Sequence, residues 1–238
     1  MTPTIKALRE VARRMEPLET NFVFLGGAVI ELLVDNPTVS ELRPTKDVDV
    51  VAEVLTTAGF YALESKLRDA GFAHDSSEGA PLCRWLVNGH RVDIMPVEAS
   101  PLGMNTRWFR EALEFSAVKN LGDGLLARVV SAPIFIATKL EAYRDRGRRD
   151  FQASHDIEDI VSVIDGCADI AEQISCAPEA VRDFVAGELG GWMGRPDWTD
   201  LIAGHLSGIS LSAGREGIVC QRIRAICELV REPRQATD

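Results

Sequence analysis

The sequence has no run of about 20 apolar residues, the length a membrane-crossing helix needs, and its start, MTPTIKALREVARRMEP, has no long apolar core. Neither a membrane span nor a secretory leader is expected, and the chain reads as cytoplasmic. It also lacks a basic excess. Lys and Arg number 26 against 36 Asp and Glu, a net charge of −10. A chain of that sign does not coat nucleic acid by bulk electrostatics, although a local basic face is compatible with it. Paired cysteines are missing as well: Cys83, Cys167, Cys176, Cys220 and Cys227 form no CxxC and are odd in number, which fits buried thiols in a reducing compartment. Histidines at metal-ligand spacing, internal repeats and low-complexity linkers are absent. At 46% hydrophobic over 238 residues, the chain can still bury a full core, as one large domain or two small ones.

The stretch from Asn21 to Val54 carries most of the information. An apolar run, Phe22 to Leu25, meets Gly26 and Gly27 and passes into Ala28 to Val34. This order reads as a buried strand, a tight glycine turn and the start of a helix, a geometry suited to phosphate. After Pro44 a second strand is expected from Asp47 to Val54, with Asp47 and Asp49 on one face and Val48 and Val50 on the other. Period two separates the aspartates by roughly 6.6 Å along the strand. Carboxylates in such Val-rich surroundings need a counter-charge, and two on one face can hold a divalent cation.

A third carboxylate follows. Asn88-Gly89 between two strand-like runs signals a hairpin, and on its outgoing arm Asp93 lies between apolar Val92 and Ile94. Asp93 reads as a metal ligand, as a general base, or as the partner of Arg91 or Arg84 in a salt bridge. Phosphoryl and nucleotidyl transfer rely on positioning and on metal charge over the reacting phosphate, so three strand carboxylates beside a glycine turn suit that chemistry.

The order Gly26-Gly27, a helix, Arg43-x-Thr45-x-Asp47-x-Asp49 and then Asp93 resembles the polymerase-β-type nucleotidyltransferase superfamily, and within it the AbiEii-like branch, whose members include toxins of toxin–antitoxin and phage-abortive systems. Lys139 in ATKLEAYRDRG and Asp156 and Asp159 in SHDIEDIV extend the resemblance to about residue 159. It implies an α/β (α+β) fold: a palm-like mixed sheet flanked by helices over 1–131, then a helical subdomain over 132–238 that completes the nucleotide site. It further implies Mg²⁺ or Mn²⁺ held by Asp47, Asp49 and Asp93, and a nucleoside triphosphate bound by Gly26, Gly27, Lys139, Asp156 and Asp159; Lys46 and Arg43, next to the metal strand, read either as further contacts to the triphosphate or as plain surface charge. The acceptor it implies is an RNA or tRNA 3′ end, with an antitoxin-like partner protein. Two departures stand out: the turn has no serine, and His155 occupies a place where relatives often carry lysine.

The remainder of the chain is read from periodicity. Helices are expected over Ile5 to Met15, within Gly59 to Gly71, over Met104 to Ala117, and repeatedly after Pro133, with a strand at Leu125 to Val130 and Gly166 as a C-terminal cap. The four tryptophans read as packing residues. Lys139 has a plain alternative as a solvated lysine, Asp156 as a helix-start residue favoured by capping, and Arg144, Arg146, Arg148 and Arg149 as a salt-bridged segment instead of a nucleic-acid contact. Two other functions are compatible with the same motifs: transfer to a small cationic acceptor such as an antibiotic, and a non-catalytic nucleotide-binding regulator.

Overall fold

The computed structural model describes residues 1–35, 45, 47–98, 102–147, 150–206 and 214–230. Arg43, Lys46, Arg148 and Arg149 lie outside them. The described residues form two compact units, one from within 1–32 and 43–131, the other from within 33–42 and 132–238.

The first unit opens with α1 (Pro3–Met15), where Ile5, Leu8, Val11, Ala12 and Met15 recur at helical spacing and are all buried. Thr2 caps it, its hydroxyl accepting from the Ile5 amide at 3.2 Å. Strand β1 (Phe22–Leu25) is buried at every position. It runs through Gly26 into a 3-10 turn, Gly27–Val29, and only then into the short helix α2 (Ile30–Leu33). Strand β2 (Asp47–Ala52) follows, then α3 (Thr57–Asp69), β3 (Ala73–His74), β4 (Arg84–Val87), β5 (His90–Pro96), α4 (Phe109–Glu114), β6 (Ala117–Asn120) and β7 (Leu126–Val129).

The seven strands form one mixed sheet in the order β3-β4-β5-β2-β1-β7-β6. Central β2 lies antiparallel to β1 and parallel to β5. This sheet with its helices is the α/β architecture expected. The hairpin at Asn88-Gly89 is present, both residues at positive φ (49° and 80°) as a two-residue turn of this kind requires, with Val87 opposite His90.

Some boundaries differ from expectation. The β2 ladder stops at Ala52, where the Val54 amide turns back to the Ala52 carbonyl at 2.8 Å. The helix expected over Met104 to Ala117 shrinks to six residues, and Ala117 begins an edge strand that periodicity does not reveal. Three of the four residues of β6 are exposed, so no buried face imposes alternation on Ala-Val-Lys-Asn.

The second unit contains helices α5 (Ala132–Asp145), α6 (His155–Gly166), α7 (Ile170–Ser175), α8 (Glu179–Met193), α9 (Trp198–Ala203) and α10 (Arg215–Glu228), and no strand among its described residues. Ile134, Phe135, Ile136 and Leu140 of α5 are fully buried; the helix is buried on every side from Ala132 to Ala137 and packs against α6, α7 and α8. Each such side chain removed from water contributes about 1.5–3 kcal/mol. Gly166 ends α6, but no left-handed turn explains it: a Cβ there would lie 2.4 Å from Val34 Cγ1, and the Gly166 carbonyl accepts from the Asp35 amide at 3.0 Å. Trp85, Trp108 and Trp192 are buried, as are four of the cysteines, whereas Cys176 is exposed. Ile218 and Val230, which the helical spacing places inward, are also exposed, Val230 beyond the end of α10.

Candidate active site

In the first unit the strand registers bring three aspartates together. Asp49 lies opposite Leu25 across β1–β2 and opposite Asp93 across β2–β5. Asp47 is two residues back on the same face, opposite Arg91. Thr45 fixes the entry to the strand, its hydroxyl 3.2 Å from the Asp47 carbonyl. The Leu25 register sets Asp49 beside the glycine turn. Gly26 has φ +69°, and a Cβ on it would lie 1.8 Å from Asp49 Oδ2, so the carboxylate occupies the space a side chain would take.

Two arginines share this site. Arg84 of β4, the cross-strand partner of Asp93, donates from Nε to Asp93 Oδ1 and from Nη2 to Asp93 Oδ2, each at 2.8 Å. Its Nη2 is also 3.7 Å from Asp47 Oδ2, while Arg91 Nε is 2.5 Å from Asp47 Oδ1. The Arg84–Asp93 pair is largely enclosed, with side chains 17% and 14% exposed. Hydrogen bonding to Asp93 raises the Arg84 pKa beyond its already high ordinary value. Beside them the Cys83 thiol is pushed up to about 11, first by burial and then by the charge of Asp93, which makes it an inert neighbour.

The donor set suits a hard divalent cation, being all oxygen and charged. Asp47 and Asp93 are nevertheless engaged by guanidinium groups, and the oxygens of the three aspartates do not converge within 4.8 Å. Among the described residues, only Asp35, Cys167 and Asp169 present three ligand atoms all within 4.8 Å. That trio, in the second unit, has another explanation. Asp35 Oδ2 accepts from the Ala168 amide at 2.9 Å, Cys167 donates to Asp169 Oδ1 at 3.3 Å, and Gln173 donates to the same oxygen at 2.8 Å. Burial, then the hydrogen bond to Asp169, pushes the Cys167 thiol up to about 12. These contacts close the end of α6.

The second unit holds the other sequence candidates. Lys139 Nζ is 2.6 Å from Asp159 Oδ2 and 3.5 Å from Asp156 Oδ1, and Arg146 also pairs with Asp156. Both aspartates are buried, at 3% and 2% exposed. The capping role open to Asp156 belongs instead to Ser154, whose hydroxyl accepts from the Ile157 amide at 3.4 Å. Lys139 is thus no solvated lysine but the centre of an ion cluster joining α5 to α6. Arg144 faces Glu141 at 3.6 Å and Glu188 at 3.8 Å, so both described arginines of the basic segment have acidic partners. His155 pairs with Glu158 at 3.0 Å.

The arginine pairing of Asp47 and Asp93 is the feature that motif reading leaves undecided. A signal for it exists, because a two-residue turn at Asn88-Gly89 sets Val87 opposite His90, and counting back along both arms sets Arg84 opposite Asp93.

No protein-family model matches the sequence, and no curated protein does. Solved structures do match. The chain is similar to an antigenic nucleotidyltransferase-like protein from Paracoccidioides brasiliensis, with a TM-score of 0.53 and 18% identity over 87% of this chain and 95% of the other. A second similar structure is the antibiotic-resistance factor ANT(2'')-Ia, with a TM-score of 0.48 and 14% identity over 79% of this chain and 92% of the other. By the first of these likenesses the chain has the fold of a nucleotidyltransferase-like protein.

Proposed function

We propose that this protein is a divalent-metal-dependent nucleotidyltransferase that moves a nucleoside monophosphate from a nucleoside triphosphate to an acceptor hydroxyl. One observation supports this most directly: Asp49 stands level with Asp93 on parallel neighbouring strands, with Asp47 on the same face, beside a glycine turn whose Cα touches the Asp49 carboxylate. The fold likeness is consistent with it.

Asp47 and Asp49 would hold Mg²⁺ or Mn²⁺, with Asp93 as a further ligand or as the base that takes the proton of the attacking hydroxyl. The metal would supply charge over the triphosphate and ease departure of pyrophosphate. Around it, the backbone of Gly26 and Gly27 is assigned to contact phosphate oxygens, and Lys46 to the same phosphates. Lys139, kept in place by Asp156 and Asp159, is assigned the neutralisation of nucleotide charge. For the acceptor, the AbiEii-like resemblance favours an RNA 3′ end, tRNA included, with the enzyme acting as a toxin under an antitoxin-like partner.

Incubation with Mg²⁺ and each α-³²P nucleoside triphosphate, with total cellular RNA or a panel of small cationic acceptors, tests this beside an Asp49→Ala control. Label on RNA with wild type alone is the expected result. Label on a small molecule would replace the acceptor class. Absence of both transfer and nucleotide binding would refute the assignment.

A further inference from the structure

Arg84 turns two of its coplanar N–H donors, from Nε and Nη2, on Asp93, one per carboxylate oxygen, and Nη2 reaches Asp47 as well. A cation binding Asp93 has to compete with it. The competition is costly because the pair is enclosed: lifting the guanidinium away leaves two desolvated charges without partners. A phosphate offers such a guanidinium the same two-oxygen geometry as a carboxylate. With cation and triphosphate both present, Asp93 would pair with the cation and Arg84 with a phosphate, so that neither charge would be stranded.

Resting on the nucleotidyltransferase reading above, we propose that Arg84 is a positioning residue that keeps Asp93 paired until nucleotide arrives, so that the site takes a divalent cation weakly alone and strongly together with a nucleoside triphosphate. Arg91 cannot substitute for it, since its Nε contact is to Asp47 and it stands on the same strand as Asp93.

The test measures Mn²⁺ binding by electron paramagnetic resonance of the free ion, for wild type, Arg84→Met and Arg84→Lys, with Arg110→Met as a control for loss of a positive charge elsewhere in the unit. Binding of the α,β-methylene analogues of ATP, GTP, CTP and UTP at saturating Mn²⁺ is measured in parallel. Arg84→Met is expected to bind Mn²⁺ alone about tenfold more tightly and the analogue about tenfold more weakly, each corresponding to about 1.4 kcal/mol. Arg84→Lys, which keeps the charge but loses the fork, should fall between, and Arg110→Met should match wild type. Structural damage would weaken both affinities, so the opposite signs are diagnostic. Should Arg84→Met fail to fold, the Arg84→Lys comparison carries the test alone. Wild-type Mn²⁺ affinity in both Arg84 variants, with analogue binding intact, overturns the role of Arg84 and leaves the nucleotidyltransferase reading standing. No analogue binding by wild type at all overturns both.

Discussion

The Cα of Gly26 and the carboxylate of Asp49 share a space that has no room for one more carbon: a Cβ on Gly26 would sit 1.8 Å from Asp49 Oδ2. Two constraints thus fall on one residue, a positive φ and a close approach. They can be separated. Gly79 also has a positive φ, +80°, but nothing within 4 Å of its Cβ position. Gly79→Ala should therefore cost about 1–2 kcal/mol of strain, and Gly26→Ala more, since φ 69° with ψ −170° is a region essentially reserved for glycine that costs about 1–3 kcal/mol, and overpacking adds about 1–3 kcal/mol. Urea unfolding of the two variants checks this, and equal losses would mean that the contact is readily relieved.

Lys139 lies 2.6 Å from the buried Asp159. Removing one member of a buried ion pair leaves the other poorly compensated, so Lys139→Met should lose about 3–5 kcal/mol. Adding Asp159→Asn should restore part of the loss, as expected of coupled neighbours. Chemical denaturation of the single and double variants gives the coupling. Purely additive losses would show that Lys139 and Asp159 do not depend on each other.

The sheet and the aspartate trio were legible because each rests on strong local chemistry: alternation around Asp47 and Asp49, the Asn88-Gly89 turn, and the apolar run ending at Gly26. Two features were less so. β6 has no buried face to impose a pattern, and a short edge strand of this kind is held by its neighbour β7 more than by its own residues. The pairing of Arg84 with Asp93 depends on register across a hairpin, which motif spacing along a single strand does not convey. The ion cluster of Lys139 is similar: the residues were visible, but their burial is set by how α5 packs on α6.

His205 supplies a test by pH. Its ring contacts the Phe151 carbonyl through Nε2 at 2.8 Å, and burial lowers its pKa below the ordinary value despite the opposing carbonyl and the nearby Glu158 and Asp150. The unfolded chain therefore takes up the proton first as pH falls. Stability contributed by neutral His205 is complete above the unfolded value of about 6.5 and declines as pH drops from there through the lower folded value. His205→Gln should flatten this part of the stability profile, measured as unfolding midpoints from pH 7.5 to 5. An unchanged slope would assign the dependence to other groups.

Thiol reactivity should divide sharply. Cys176 is exposed, while Cys83, Cys167, Cys220 and Cys227 are buried, and burial raises the first two to about 11 and about 12 and shifts Cys220 upward too. Since the thiolate is the reactive form, a disulfide reagent at pH 8 should label one thiol rapidly and four only as the protein unfolds. Cys176→Ser should abolish the fast phase.

Val34 meets Gly166 across more than 130 positions of sequence, and Asp35 closes the end of α6 through the Ala168 amide. The second unit is therefore not a contiguous length of chain. During synthesis, residues 33–35 emerge early and wait for α6 before their contacts can form, so this unit closes late, through a long loop whose entropy must be overcome first. A fragment beginning at residue 132 would be born with the Val34 socket empty, and supplying residues 33–35 on a separate peptide is the natural way to fill it.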